Sequence, residues 1–133
     1  MLPISGFDHV AITVADLDDA CAFYAAVFGA QVILEHAVDG DAVLRQVTLG
    51  HAVLSIHQYG NGVHPAAAHP TVGAADICLR CTLSVATLLD KLDSLGVEVV
   101  EGPAARRTAD GEPSQSVYFR DPDGNLLEMM VTE

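Results

Sequence analysis

The chain has 133 residues, half of them hydrophobic, which is enough to build a folded core and excludes a globally disordered chain. Eighteen acidic and six basic residues give a formal net charge of −12, which repels phosphate backbones, so we expect no nucleic-acid partner. No apolar run approaches the roughly 20 residues of a membrane span, and the N-terminus lacks a signal-peptide pattern, so the expected compartment is the cytoplasm without a membrane partner.

The first half of the chain predicts one helix and four strands. Residues 7–14 alternate in polarity and are rich in β-branched side chains, which is typical of a strand. Asp16 is the predicted N-cap of a helix whose apolar stripe ends at Gly29, a residue suited to a left-handed C-terminal cap. Three more strands, with turns between them, are predicted at 31–38, 42–49 and 52–58.

The second half repeats this order after a stretch without periodicity. Residues 59–74 are rich in Gly and Pro, and we interpret them as a linker. A strand is predicted at 75–81, followed by a helix with Ser84 as its N-cap and Gly96 as its C-cap. The remaining strands are predicted at 97–100, 115–120 and 126–131, with a type I turn at 121–124.

A constant offset relates the two halves. His9 lies 67 residues before Asp76, and Gly29 lies 67 residues before Gly96. Strand, helix, cap glycine and the next strand all keep this register, which chance periodicity seldom does. We therefore predict an α+β fold, a single domain at 1–133, made of two tandem βαβββ modules at about 7–58 and 75–131. Their mixed sheets are expected to pair and to form a curved cleft.

Four polar side chains interrupt otherwise apolar strands, namely His9, His57, Asp76 and Glu128. A lone strand histidine is more often structural than a ligand, but His9 and Asp76 occupy related positions in the two modules. A buried carboxylate at Glu128 needs a cation, a metal ion or a strong donor, unless that side of the strand faces water. Two imidazoles with one or two carboxylates suit Fe²⁺, Mn²⁺, Ni²⁺, Co²⁺ or Zn²⁺, which would stabilise an enolate or oxyanion of a small-molecule substrate.

The cysteines and the paired arginines carry weaker signals. Cys21, Cys78 and Cys81 are an odd set, and we interpret all three as buried apolar residues in a reducing compartment. Cys78 and Cys81 point to opposite faces of a strand and so make no zinc knuckle. Arg106 and Arg107 stand together in a predicted loop, where an ordinary solvated pair is favoured over a receptor for an anionic ligand.

Two motifs near the ends of the chain resemble the vicinal oxygen chelate superfamily. This superfamily holds glyoxalase I, extradiol dioxygenases, fosfomycin-resistance enzymes and bleomycin-binding proteins. The motifs are residues 8–14 with Phe23-Tyr24 and Phe28-Gly29, and residues 119–128. The resemblance covers about 7–131, and residues 54–58, 75–78 and 100–103 are most similar to the branch of glyoxalase domain-containing protein 5 and virulence-type members.

The resemblance implies metal ligands on strands one, four, five and eight, which are His9, His57 or Ser55, Asp76 and Glu128. Of the two strand-four candidates, His57 is the better ligand. Glyoxalase I usually has Glu in strand four and His in strand five, and its glutathione-holding Arg is absent near Thr13, so glutathione specificity is not implied. Asp76 also departs from the His of extradiol dioxygenases and fosfomycin-resistance enzymes. The resemblance further implies a homodimer, with ligands drawn from one chain or from two.

Two classes of function compete for this chain. The first is a divalent-metal-dependent enzyme of glyoxalase-like lyase or isomerase type, with Glu128 and Asp76 as catalytic residues and a small oxygen-rich substrate. In it, Asp76 is a fourth ligand, an anchor for another ligand, or a general base. The second is a metal-free protein of bleomycin-resistance type that sequesters a small molecule. A ring-cleaving dioxygenase is a further alternative.

Overall fold

The computed structural model describes residues 1–132. Two compact units divide the chain, one spanning Met1–Val72 and the other beginning at Gly73. Each unit contains one helix and one four-stranded mixed sheet. Within residues 1–132, every helix is too short or too polar to cross a membrane.

The first unit contains a parallel strand pair on one side of its sheet and an antiparallel meander on the other. Its elements are β1 (Val10–Val14), α1 (Leu17–Phe28), β2 (Val32–Val38), β3 (Asp41–Leu49) and β4 (Ala52–Gln58). The strand order is β1-β4-β3-β2. β1 runs parallel to β4, because α1 and two further strands return the chain to it, while β3 is antiparallel to both of its neighbours.

The core of the first unit lies on one face of this sheet. The buried apolar side chains are Ile12, Val14, Val47, Leu49, Leu54 and Ile56 of the strands and Leu17, Ala20 and Tyr24 of α1. Asp16 caps α1 by accepting a hydrogen bond from the Asp19 amide at 2.9 Å, and Gly29 ends it at φ 67°. We call the opposite face of the sheet the open face of the first unit.

The second unit repeats the topology of the first. Its elements are β5 (Asp76–Cys81), α2 (Val85–Ser94), β6 (Glu101–Arg107), β7 (Pro113–Arg120) and β8 (Leu126–Val131). The strand order is β5-β8-β7-β6, with β5 parallel to β8. Its buried apolar residues include Cys81, Leu88, Leu92, Val117, Phe119, Leu127 and Val131. The sheet face opposite to them is the open face of the second unit.

The turn between β7 and β8 is a buried polar network. Asp121 and Asn125 are 5% and 1% exposed. The Asp121 carboxylate accepts hydrogen bonds from the Asn125 amide and side chain at 2.9 and 2.8 Å, and Asn125 Oδ1 accepts one from the Ala75 amide at 2.9 Å. The predicted turn forms, with Gly124 N–H donating to Asp121 O at 3.1 Å. This network therefore anchors the start of β5 to the loop that leads into β8.

The predicted α+β fold with two tandem βαβββ modules is confirmed, and three local predictions are wrong. The strand predicted at 97–100 lies instead at Glu101–Arg107, because the Val97 amide bonds Leu92 O and prolongs the helix-terminal turn. Helix α2 has Leu95 as its C-cap, and Gly96 takes the left-handed conformation one residue later, at φ 70°. Arg106 and Arg107 consequently belong to a strand and not to a loop.

Candidate functional site

His9 lies one residue before β1, on the open face of the first unit. Its Nδ1 is 2.7 Å from the carboxylate of Asp8. A carboxylate on one ring nitrogen fixes the orientation of an imidazole and leaves the other nitrogen, here Nε2, for a ligand. The side chains of His9 and Asp8 are 42% and 96% exposed, so this pair orients the ring but adds little to stability.

His57 lies on β4, on the same open face. Its Nε2 shares a hydrogen bond of 3.1 Å with the hydroxyl of Ser55, which is 1% exposed. Burial first, and the nearby His9 second, lower the pKa of His57 below its ordinary value of 6.5. The imidazole is therefore neutral at pH 7, which is the form that binds a metal ion.

The strand registers show which residues occupy related positions in the two units. Ala11 pairs with Ser55 in the first unit, and its counterpart Cys78, 67 residues later, pairs with Glu128 in the second. Ser55 is therefore the counterpart of Glu128. His57 lies two residues further along β4, on the same face of the sheet. Both strand-four candidates are thus side by side, and their shared hydrogen bond makes Ser55 a partner of the imidazole.

Glu128 is half-buried on β8, within the open face of the second unit. Its Oε2 accepts a hydrogen bond of 2.6 Å from the hydroxyl of Ser116, a residue of β7 that is fully buried. A carboxylate on an apolar strand is expected to have a hydrogen-bond donor, and Ser116 is that donor for Glu128. The hydrogen bond fixes one carboxylate oxygen.

Cys78 and Asp76 lie beside Glu128 on β5. The prediction that all three cysteines are buried holds for Cys81 only, because Cys78 is exposed and Cys21 is half-buried. Desolvation of the thiol first, and the negative charge of Glu128 second, raise the pKa of Cys78 to about 11. Cys78 therefore stays a neutral thiol at physiological pH. Asp76 is exposed at the start of β5.

A cavity of about 580 Å³ opens on this face of the second unit. Glu128 and Cys78 line it, together with Arg80 of β5, Arg106 of β6 and Tyr118 of β7. Arg106 Nε donates to the Tyr118 hydroxyl at 2.9 Å, and its guanidinium lies 5.5 Å from the centre of the Tyr118 ring. The Glu128 carboxylate and the guanidinium groups of Arg80 and Arg106 therefore line the same cavity within the second unit.

The structure brings the predicted site residues together only in pairs. The first unit holds His9 and His57 on its open face, and the second holds Asp76 and Glu128 on its own. Within residues 1–132, no three or more His, Cys, Asp or Glu side chains are grouped so that they could hold a metal ion.

Sequence reasoning missed several polar residues of the site. Asp8 and Ser116 orient His9 and Glu128, and the strand alternation of Ser116 and Tyr118 is the signal that could have placed them on the face of Glu128. No such signal existed for Arg80 and Arg106, since their meeting in one cavity depends on the order of strands in the sheet.

Known proteins share this two-module α+β fold and identify the superfamily of the chain. The sequence pattern of the Glyoxalase/Bleomycin resistance protein/Dioxygenase superfamily matches residues 6–129, and the chain belongs to that superfamily. It is 33% identical over 126 residues to the virulence protein STM3117 of Salmonella typhimurium (strain LT2), which covers 95% of this chain and 83% of that protein. The resemblance predicted from the end motifs is confirmed.

Solved structures agree with this assignment. The integron cassette protein VCH_CASS1 from the mobile metagenome of V. cholerae has a TM-score of 0.87 and 33% identity, over 100% of this chain and 99% of that one. A lactoylglutathione lyase from Agrobacterium tumefaciens has a TM-score of 0.72 and 28% identity, over 98% of this chain and 96% of that one.

Two further structures share the fold at lower identity. One is the fosfomycin resistance protein FosX from Listeria monocytogenes, complexed with Mn(II) and sulfate, at 21% identity and a TM-score of 0.67 over 98% of this chain and 93% of that one. The other is the antibiotic binding protein TnmS3 from Streptomyces sp. CB03234, at 20% identity and a TM-score of 0.73 over the whole of both chains. The fold therefore serves both metal-binding and antibiotic-binding proteins.

Proposed function

We propose that this chain is a divalent-metal-dependent enzyme of glyoxalase-like lyase or isomerase type that acts on a small oxygen-rich substrate. The observation that supports the proposal is the location of all four ligand candidates on open faces. His9 and His57 share the open face of the first unit, and Asp76 and Glu128 share that of the second. Side chains on these faces are available to an ion, because the buried apolar cores lie on the other sides.

The chemistry of the donors fits a divalent transition metal. Two imidazoles and two carboxylates supply the nitrogen and oxygen ligands that such an ion accepts. This set suits Ni²⁺, Mn²⁺, Fe²⁺, Co²⁺ or Zn²⁺. When bound, such an ion would polarise the substrate oxygens as a Lewis acid.

Side chains of this protein orient the proposed metal ligands and accept protons from the substrate. In this proposal Asp8 and Ser55 orient the two imidazoles, and Ser116 fixes Oε2 of Glu128. The other oxygen of Glu128 binds the ion or accepts a substrate proton. Asp76, exposed at the start of β5, serves as a fourth ligand or as a second proton acceptor.

We also propose that the protein acts as a homodimer in the cytoplasm. Strand β2 exposes a run of apolar side chains that a partner surface would cover, namely Val32, Ile33, Leu34 and Val38. Equilibrium sedimentation distinguishes a dimer from a monomer.

Metal analysis of protein purified without an affinity tag tests the proposed enzyme. We expect wild-type protein to bind close to one equivalent of Ni²⁺, Mn²⁺, Fe²⁺, Co²⁺ or Zn²⁺, and His9→Ala or Glu128→Gln to weaken that binding by about tenfold or more. His51→Ala is the matched control, since His51 is an exposed histidine in the turn between β3 and β4, outside the proposed ligand set, and it should bind metal as the wild type does. A wild type that cannot be loaded with any of these ions would refute the proposal.

A metal-free binding protein is the second candidate function. One observation favours it: Ser55, which is a weaker metal ligand than a carboxylate, occupies the position related to Glu128. A thermal-shift screen separates the two candidates, because a metalloenzyme is stabilised by metal ions and a sequestering protein by its small-molecule ligand, such as a cationic glycopeptide.

A further inference from the structure

Half of the cationic side chains of this acidic protein line one cavity. The chain has six Lys and Arg residues against a net charge of −12, and three of the six, Arg80, Arg106 and Arg107, line the cavity on the open face of the second unit. Cations that are scarce in the whole chain are thus concentrated beside Tyr118 and Glu128.

The three arginines differ in how far their charge is compensated. Arg80 is paired with the carboxylate of Asp110 at 2.9 Å. Arg107 Nη1 donates to a neutral carbonyl, that of Gly111, at 2.8 Å, and among residues 1–132 no carboxylate forms an ion pair with it. Arg107 is therefore the cavity arginine without an ion pair in residues 1–132, and Glu128 contributes a carboxylate to the same cavity.

Arg106 is bound mainly by neutral groups. Its Nε donates to the Tyr118 hydroxyl at 2.9 Å and its Nη1 to Ala105 O at 2.9 Å, while the carboxylate of Glu101 lies 3.9 Å from Nη2. Because the Tyr118 oxygen accepts the hydrogen bond from Arg106, the phenol keeps its own O–H as a donor. The Arg106 side chain is 41% exposed. Its guanidinium and the Tyr118 O–H are therefore neighbouring hydrogen-bond donors at the cavity.

We propose that Arg106 and Tyr118 form an oxyanion subsite, which binds a carboxylate or phosphate-type group of the substrate. The inference deepens the proposed function, on which it rests for the role of Glu128: the substrate is a small organic acid whose acidic end meets Arg106 and whose reacting end lies toward Glu128. A carboxylate or phosphate-type group accepts charge-assisted hydrogen bonds from a guanidinium and from a phenol O–H, and Arg106 and Tyr118 supply these two donors.

In this proposal, short-range contacts with Arg106 and Tyr118 recognise the anionic group of the substrate. A net charge of −12 repels anions at a distance, so the overall field does not attract an acidic substrate. The subsite therefore selects by geometry, and exchanging Arg106 for another cation should weaken binding although the net charge is unchanged. This distinguishes a built subsite from general electrostatic attraction.

Calorimetric titration of untagged, metal-free protein tests the subsite. The probes are succinate, inorganic phosphate and the neutral analogue succinamide. We expect the wild type to bind at least one of the anions and to prefer it to succinamide. Arg106→Gln should weaken anion binding by about tenfold or more, and Arg106→Lys and Tyr118→Phe by about threefold or more. Arg120→Gln is the control: it removes the same charge from β7, but Arg120 does not line the cavity, so a change below about twofold is expected.

Two results would overturn the subsite. One is a wild type that binds neither anion better than succinamide, and the other is an equal loss in Arg106→Gln and Arg120→Gln, which would indicate bulk charge. Because Tyr118→Phe keeps the side-chain shape, its effect on anion binding tests the subsite even if an arginine variant fails to fold. Because the protein is metal-free, anion binding that survives while metal loading fails would leave the subsite standing and remove only the proposed metalloenzyme.

Discussion

Asp110 is an exposed carboxylate that the fold keeps ionised at low pH. It accepts hydrogen bonds from Thr108 Oγ1 at 2.5 Å and from Arg80 Nη2 at 2.9 Å, and these, in that order, lower its pKa to about 2. The same Arg80 lines the cavity beside Arg106. Asp110 thus compensates one of the three cavity arginines.

The pH dependence of stability should report this network. The folded-state pKa of Asp110 lies below the ordinary value of 3.8, so its stabilisation is fully present above about pH 4 and is lost as pH falls toward 2. Asp110→Asn should therefore lower the urea midpoint at pH 6, and its difference from the wild type should shrink at pH 3. Glu98→Gln, an equal charge change at an exposed site, is the control. A difference that grows on acidification would contradict the assignment.

The β6–β7 hairpin depends on a close approach between two backbone segments. Gly102 lies where the pairing register of β6 shifts between Glu101 and Ala104, at φ 108°. A Cβ at this position would overlap the carbonyl oxygen of Ser116, whose side chain holds Glu128. Only glycine suits both the conformation and the space.

Two glycine variants separate the conformational cost from the steric cost. Gly111 also has a positive φ, 89°, but a Cβ there meets open space. We expect Gly111→Ala to lower the free energy of unfolding by about 1 kcal/mol, and Gly102→Ala by about 3 kcal/mol or more because the overlap adds to it. Urea denaturation measures both. Equal losses in the two variants would contradict the close approach.

The order and type of the elements were predictable because each carries a local signal. Asp16 and Ser84 cap their helices as predicted, and alternation marked most of the strands. The strand predicted at 97–100 failed because Val97 completes a helix-terminal turn and the chain reaches β7 only at Val100, whose amide donates to Tyr118 O. The real strand, Glu101–Arg107, contains Gly and Pro and no β-branched residue. Here tertiary pairing with β7 outweighed intrinsic preference.

The candidate site was predictable only in part. The residues His9, His57, Asp76 and Glu128 stand out as polar interruptions of apolar strands, and the 67-residue offset relates two of them. That Ser55 corresponds to Glu128 needed the parallel register of β1 with β4 and of β5 with β8, which no local pattern encodes.

The net charge of −12 makes the protein repel itself electrostatically, which destabilises the folded state. Screening should relieve it, so raising NaCl from about 0.05 M to about 0.5 M at pH 7 should raise the melting temperature by a few degrees. Near the isoelectric point of about 4.5 the same salt change should have little effect, which serves as the control. A melting temperature that falls with salt at pH 7 would mean that attractive ion pairs outweigh the repulsion.

The correspondence of His9 with Asp76 and of Ser55 with Glu128 has a consequence for how such a chain evolves. An assembly of two identical single-module subunits must carry the same side chain at both related positions, since one codon specifies both. Joining the modules in one gene removes that constraint. Here the related positions hold His9 and Asp76, and Ser55 and Glu128, so a chain with both modules can carry different proposed ligands at related positions, which a symmetric assembly of identical modules cannot.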